Sequence, residues 1–479
     1  MGMLLEPPLD LLAEWVIATD GHAMRRLPLL EMARRILCGL AEAQPHQRRV
    51  LAIRLERWRY QHLDLRGQQA NCMDLRLAEV LDLAANRLVG LPERPPRWTR
   101  EAISHTGHDW PELREALAAL DPAAPLEPIA QKAAALTAAN FSIGGRRRMF
   151  LYAPLYLSSH CVNYCVYCGF RFPNPIPRRH LTLEQAEHQA EVLAQRGIRH
   201  ILLVAGDYPR LTSIGYLVAV IRRLVERGLS VAVEIAPQGT LAYAELAAAG
   251  ACGVTLYQET YDEQLYALYH PRGTKASYDW RLEALERAAE GGMKRLGFGI
   301  LLGLADPRQD VLAMMRHARY VSRRFPHCTI AFSLPRIYEA PAGFEPPYKV
   351  SDDLFVRLYC ALRIAFPRAE LVLSTREPAE LRNRLAKICI TQLSAGSSTV
   401  PGGYENGENA ATDTSQPDRV DERGNAVGVR AQPGGQFPVC DCRTPAEVAA
   451  WLTANGFVPV WTPGAEPPAV QSSHLPAIQ

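Results

Sequence analysis

From residue 149 onward, short apolar runs alternate with stretches whose apolar positions recur every three or four residues. The runs are "MFLYAPLYLS", "RHILLVAG", "LSVAVEIAP", "GVTLYQETY", "RLGFGILLGL", "TIAFSLPR", "AELVLSTRE" and "ICITQLSAGS". Their lengths and β-branched content predict strands. Between them "LTLEQAEHQAEVLAQRG", "IGYLVAVIRRLVERG", "TLAYAELAAAG" and "DWRLEALERAAEGG" read as helices, each closed by glycine, the usual left-handed stop. Strands that alternate with helices pair in parallel through right-handed crossovers. Eight such strands suffice for a TIM-type (β/α)8 barrel, an α/β fold. An open doubly wound sheet shares the alternation, but no GxGxxG follows the first strand.

The flanks follow other patterns. Residues 1–145 form an N-terminal helical extension, with "LPLLEMARRILCGLAEA", "VLAIRLERWRYQHL" and "PAAPLEPIAQKAAALTAANF" as predicted helices and no strand-like alternation. The barrel then spans 146–404. Residues 405–436 are a polar, glycine-rich linker. A small C-terminal segment, 437–479, holds "TPAEVAAWLTANGFVPVW", a helix capped by Thr444 followed by a short strand.

Composition narrows the partners. The chain has 479 residues, 48% hydrophobic and 22% charged, with a formal net charge of +3. That balance gives no reason to expect nucleic acid or an anionic membrane as the main partner. The arginines and aromatics of "RLERWRYQHLDLRGQ" read as a solvated helix surface in preference to a nucleic-acid face. No apolar run reaches the ~18 residues of a spanning helix. The start "MGMLLEPPLD" lacks a signal-peptide pattern, and Glu6 stands where a myristoylation signal needs Ser or Thr. A cytoplasmic protein is expected. The 11 cysteines are odd in number and widely spread, which suits a reducing compartment.

Three of them are crowded. "SSHCVNYCVYCGF" places Cys161, Cys165 and Cys168 on the loop after the first strand, at the C-terminal mouth where barrels carry their chemistry. Three thiolates can hold three corners of a [4Fe–4S] cube and leave one iron open, whereas most such clusters have four cysteine ligands. A structural zinc site needs a fourth ligand, for which His160 and His180 are the nearby candidates.

The spacing C-x3-C-x2-C, with Tyr167 before the last cysteine, resembles the radical S-adenosylmethionine superfamily. The ordered segments "ILLVAGD", "YQETYDEQLYALYHPRGTKASYDWRLEALERA", "GILLGL", "FSLPR", "LVLSTRE" and "SAGSSTVPGGY" resemble its aromatic amino acid lyase family. The likeness covers about residues 128–404 and returns at "QFPVCDCRTPAEVAAWLTANGFVPVW". The "PVW" ending resembles the tyrosine lyases of thiamin thiazole synthesis, the 2-iminoacetate synthases. A hydrogenase-maturation lyase has a second cluster on further C-terminal cysteines; here Cys440 and Cys442 precede the last predicted helix and none follows it.

The resemblance implies one [4Fe–4S] cluster on Cys161, Cys165 and Cys168, with S-adenosyl-L-methionine chelated to the open iron. It implies an electron from a flavodoxin or ferredoxin-type donor, a 5′-deoxyadenosyl radical, and hydrogen abstraction from the substrate amine. Tyrosine would then split at Cα–Cβ into 2-iminoacetate and p-cresol, and a thiazole synthase is the implied partner. Tryptophan cleavage, a maturase-like lyase without the second cluster, and a non-catalytic iron–sulfur protein are the rival readings. Residue by residue, Tyr167 is expected against the adenine, and Gly206 and Asp207 at the amino group of the cofactor. Gln258 and Glu259 are expected at its ribose or methionine end, facing the same cavity, with a buried salt bridge as the alternative. Arg336 and Arg376, each near a strand end, are expected to contact substrate or cofactor, with Arg336 preferred for the amino acid carboxylate; an ion-pair role is the alternative for each.

Overall fold

The computed structural model describes residues 99–105, 110–338, 340, 343–404 and 434–462, with short pieces at 38–39, 42–44, 47–48, 419–420 and 426–427. The helices expected from "LPLLEMARRILCGLAEA" and "VLAIRLERWRYQHL", most of segment 405–436 and the final tail lie outside the described residues.

Every strand expected from the apolar runs is present. They are β2 (Arg146–Ser158), β3 (His200–Ala205), β4 (Ser230–Glu234), β5 (Ala251–Glu259), β6 (Arg295–Ile300), β7 (Thr329–Ser333), β8 (Glu370–Leu373) and β9 (Gln392–Ser394). Neighbours pair in parallel in chain order, and the ring closes where β9 pairs with β2, Leu393 opposite Leu151. The result is a closed eight-stranded parallel barrel within a ten-stranded sheet. A short β1 (Ser142–Ile143) folds back antiparallel on β2. The final strand, β12 (Phe457–Val460), adds in parallel to the start of β2, Phe457 opposite Arg147. Two short segments, β10 (Arg419–Val420) and β11 (Ala426–Val427), pair with each other.

The described helices before the barrel are α1 (Thr99–His105), α2 (Pro111–Ala119) and α3 (Leu126–Asn140). Those of the barrel region are α4 (Leu183–Gln195), α5 (Ile214–Glu226), α6 (Thr240–Ala248), α7 (Glu263–Tyr269), α8 (Tyr278–Leu282), α9 (Ala284–Glu290), α10 (Pro307–Arg324), α11 (Asp352–Ala365) and α12 (Ala379–Ile388), and α13 (Pro445–Ala454) precedes β12. Local chemistry fixes their ends. Thr182 with Gln185, and Thr444 with Glu447, form reciprocal capping boxes at α4 and α13. Gly250, at φ +106°, stops α6 in a conformation that disfavours a side chain.

"DWRLEALERAAEGG" was expected as one helix and is two. Arg287 is buried, donates to the carbonyl of Trp280 and stacks 3.7 Å over that indole. A carbonyl engaged by a guanidinium is drawn away from the helical ladder, and the break falls at Glu283.

Residues 99–145 lie against the barrel's outer helices: α1 packs on α10, and α2 and α3 pack on α11. Arg357 of α11 donates to the carbonyls of Ala119 and Ala124, each at 2.9 Å, satisfying acceptors at the end of α2 and in the turn before α3. Trp110 meets Phe366 edge-on with centroids 5.1 Å apart.

The strands are buried on both faces, and the faces differ. The outer face and the helices share one large aliphatic core, with Leu203, Val233, Val254, Phe298, Met314 and Leu358 among its members. The lumen holds a smaller cluster that joins Tyr152, Tyr156, Leu202 and Val372 to Cys165, Tyr167 and Cys168. The cysteine loop is therefore the top layer of the lumen's own packing.

Candidate active site

β2 ends at Ser158, and the loop up to α4 carries the three thiols. Cys165 and Cys168 are buried and Cys161 is half-buried. The guanidinium of Arg178 shapes the loop by donating to four carbonyls, those of Ser159, Phe170, Arg171 and Asn174, at 2.5 to 3.2 Å. Asn163 ties it to the loops after β3 and β5. Its amide nitrogen donates to Asp207 at 3.2 Å, and its oxygen accepts from the Lys275 backbone at 2.9 Å. Sequence reasoning passed over Asn163, although its place between two cysteines was a signal.

Among the described residues no three His, Cys, Asp or Glu side chains converge tightly enough to hold a single metal ion. His160 and His180 are packed instead against Tyr208 and Tyr216. The donor set, three soft thiols on one sheltered loop, fits an iron–sulfur cube, whose ligands stand at separate corners. The Asn163 backbone N–H lies 3.5 Å from the Cys161 sulfur and the Gln436 side-chain amide 3.6 Å from that of Cys168, contacts suited to cluster thiolates. Burial pushes the free Cys165 thiol up to about 12, against the pull of Lys275, and burial raises Cys161 as well.

Gly206 and Asp207 follow β3 and press against this loop. The Gly206 amide donates to Ser158, and Val162 donates to the Asp207 carbonyl, both at 2.9 Å. A Cβ on Gly206 would lie 2.3 Å from the carbonyl oxygen of His160, so only glycine permits this approach.

Glu259 ends β5 at φ +73°, the one described non-glycine residue with positive φ. Its carboxylate pairs with Lys275 at 2.5 Å and Arg281 at 3.3 Å. Gln258 is buried, with its amide nitrogen unpartnered, while Thr255 and Tyr257 of the same strand line the lumen. A bulge between Tyr257 and Glu259 breaks the strand's alternation there. Tyr167 is buried, with its hydroxyl 2.7 Å from Nε2 of His270.

The two strand-end arginines differ. Arg336 is engaged: it pairs with Glu377 through two nitrogens and with Asp352 at 2.7 Å. This pairing favours the ion-pair alternative and leaves its fork little capacity for a substrate carboxylate. Arg376 forms no ion pair or side-chain hydrogen bond with a described residue and stacks 3.4 Å over Phe437. Across the lumen, Glu234 ends β4. It too is without a hydrogen-bond or ion-pair partner, and burial lifts its carboxyl to about 7 while Arg376 opposes. Sequence reasoning missed it, though a lone acid closing the apolar run "VAVE" was visible.

Below lies a small cavity lined by Tyr152, Leu202, Thr255, Tyr257, Ser333 and Val372 among others. Gly299 makes room for Tyr257: a Cβ there would stand 2.0 Å from that ring. The floor is a closed polar network. Arg295 pairs with Glu370 at 2.6 Å and donates to Gln392 at 2.8 Å, and His200 meets Ser230 at 3.0 Å.

Cys440 is half-buried and Cys442 exposed, and the Cys440 amide donates to Thr375, next to Arg376. No described helix is long and apolar enough to cross a membrane.

Comparison with known proteins agrees with this geometry. Residues 155–318 match the Radical SAM superfamily, and 333–458 match the Biotin and Thiamin Synthesis associated domain. The chain is 34% identical over 348 residues to 2-iminoacetate synthase of Escherichia coli K12, covering 72% of this chain and 85% of that protein. The crystal structure of the FeFe-hydrogenase maturase HydG from Carboxydothermus hydrogenoformans superposes with a TM-score of 0.63 at 31% identity, over 76% of this chain and 77% of that one. Methylornithine synthase (PylB) shares the fold, with a TM-score of 0.52 at 22% identity over 67% of this chain and 92% of that one.

Proposed function

The chain belongs to the radical S-adenosylmethionine superfamily, in the family of 2-iminoacetate synthase, and from that premise we propose that it cleaves tyrosine at Cα–Cβ to 2-iminoacetate and p-cresol for thiamin thiazole synthesis. That it is a radical lyase using an iron–sulfur cluster and S-adenosylmethionine follows from the family; the substrate, the ligand set and the partners are our reading. Cys161, Cys165 and Cys168 hold a single [4Fe–4S] cluster. When bound, the cluster and cofactor supply a 5′-deoxyadenosyl radical able to take a hydrogen atom from the substrate amine.

The protein's share is placement. Gly206 brings the β3 turn against the cysteine loop, and that turn, with Asp207, receives the amino group of the cofactor. Glu259, held by Lys275 and Arg281, fixes the far side, and Tyr167 walls off the adenine. Arg376 takes the substrate carboxylate, in place of Arg336, which Glu377 occupies. The tyrosine-lined cavity receives the ring and keeps water from the radical. A flavodoxin or ferredoxin-type donor and a thiazole synthase complete the scheme.

The observation that carries this reading is an arginine at the barrel mouth without an ion-pair partner, opposite Glu234 and on the same strand end as the aromatic-lined cavity's Val372, in a chain 34% identical to a 2-iminoacetate synthase. A maturase-like reading is weaker because the segment directly after α13, "VPVWTPGAEPP", carries no cysteine. The test is product analysis. Air-free reconstituted protein with S-adenosylmethionine and a reductant is given tyrosine or tryptophan in parallel. Tyrosine is expected to yield p-cresol. Indole-type products from tryptophan alone would move the assignment to a tryptophan lyase.

A further inference from the structure

We infer that Glu234 is the base that takes the proton from the substrate's α-ammonium group while Arg376, facing it across the barrel mouth, holds the carboxylate. The inference rests on the amino acid lyase reading and deepens it.

The barrel's strand order supplies the geometry. β4 and β8 stand four strands apart in either direction round the ring, so Glu234 at the end of β4 and Arg376 just beyond β8 are diametrically opposed. The Glu234 Cα pairs with Val204, in the layer beside Tyr156 just beneath the cysteine loop. Each charge lacks a partner of its own, whereas Glu259 and Glu370 are both satisfied by basic groups. Glu234 is half-buried at the lumen wall with no donor of its own, and a carboxylate placed this way in a cleft points to a function. An α-amino acid brings an ammonium and a carboxylate on one carbon. It therefore needs an anion and a cation facing each other, and this pair provides them. The aromatic end of the substrate meets neutral groups instead, Tyr257, Thr255 and Ser333.

The chemistry requires a proton acceptor. Hydrogen-atom abstraction from an ammonium would leave a cationic, electron-poor nitrogen radical; abstraction from a neutral amine leaves a neutral one. The ammonium N–H must first break heterolytically. Its electron pair stays on nitrogen, the proton forms an O–H bond on Glu234, and no oxidant or reductant is consumed. A carboxyl lifted by burial to about 7 exchanges protons readily near neutral pH. The charged and titratable groups acting with it are Arg376, Glu259, Arg281 and Lys275, and the Tyr152, Tyr156 and Tyr257 hydroxyls.

The test compares wild type with Glu234→Gln and Glu234→Asp. L-tyrosine binding and binding of 3-(4-hydroxyphenyl)propanoate, which lacks the amine, are measured at equilibrium. Amino acid cleavage and 5′-deoxyadenosine release are followed from pH 5.5 to 9. Wild-type cleavage should rise with pH through a limb near 7, where the base loses its proton. Glu234→Gln should lose about 100-fold or more of cleavage and lose that limb, within the range of general-base effects. It should bind tyrosine more weakly, bind the deaminated acid as wild type does, and release 5′-deoxyadenosine more slowly, in step with cleavage. Glu234→Asp should restore part of the limb. Glu234→Gln cleaving at the wild-type rate with the same limb, or losing affinity equally for both ligands, would overturn the inference. If tryptophan proves to be the substrate, the tyrosine reading fails, yet the same comparison with tryptophan and indole-3-propanoate still decides Glu234.

Discussion

The two ends of the barrel are built from the same strands and treat charge in opposite ways. At the floor, Arg295 is matched by Glu370 and Gln392, and His200 by Ser230. Burial with Arg295 nearby lowers His200 to about 3, so it stays neutral across the working pH range. At the mouth, Arg376 and Glu234 face each other across the lumen, each without a partner, beneath a loop of three thiols. A charge satisfied within the protein maintains the fold. A charge left unsatisfied inside a lumen is held for something that enters. The contrast also separates the two strand-end arginines: Arg336, locked to Glu377 and Asp352, behaves like a floor residue although it lies toward the mouth.

Mutations at the two ends should therefore fail differently. The largest effect is expected from Cys161→Ala, Cys165→Ala or Cys168→Ala: complete loss of amino acid cleavage and of the cubane's iron and spin-resonance signal, with the far-ultraviolet spectrum preserved. Next comes Arg295→Met at the floor. Leaving the largely buried Glu370 without its cation should cost about 3–5 kcal/mol in denaturant unfolding, the main effect of the change. Arg376→Ala should do the reverse. Loss of a charge-assisted contact should lower kcat/KM for tyrosine by about 2–4 kcal/mol, and unfolding should change by less than ~1 kcal/mol. A large loss of stability in Arg376→Ala with normal kinetics would erase the contrast. The smallest effect is expected from Cys442→Ser, exposed and away from the lumen, within about 0.5 kcal/mol in stability and with unchanged turnover.

Much of the scaffold was legible because barrel strands are apolar on both faces and their helices end at glycine, signals that are local in sequence. The break in "DWRLEALERAAEGG" was not, because it depends on the Arg287 guanidinium reaching the Trp280 carbonyl. The pairing of β12 with β2 was equally hidden, since it joins residues 457 and 147. At the site, the cysteine loop announced itself by spacing. The arginines did not: "FSLPR" and "LSTRE" look alike, and only the position of Glu377, one residue past Arg376 yet paired with Arg336, distinguishes a brace from a free cation. Gln258 and Glu259 are adjacent in "YQETY", but only Glu259 is carried by the bulge and its positive φ to Lys275. Glu234 was missed because a single carboxylate at a strand end gains meaning only once the ring closes and places Arg376 opposite.

The central claim is that the three cysteines leave one iron of a cube open to S-adenosylmethionine. Spin resonance on air-free, reduced protein tests it most directly, recorded before and after the compound is added. The account predicts a [4Fe–4S]⁺ signal whose g-values shift on addition. A protein without a cubane, or with one whose signal ignores S-adenosylmethionine, would contradict it.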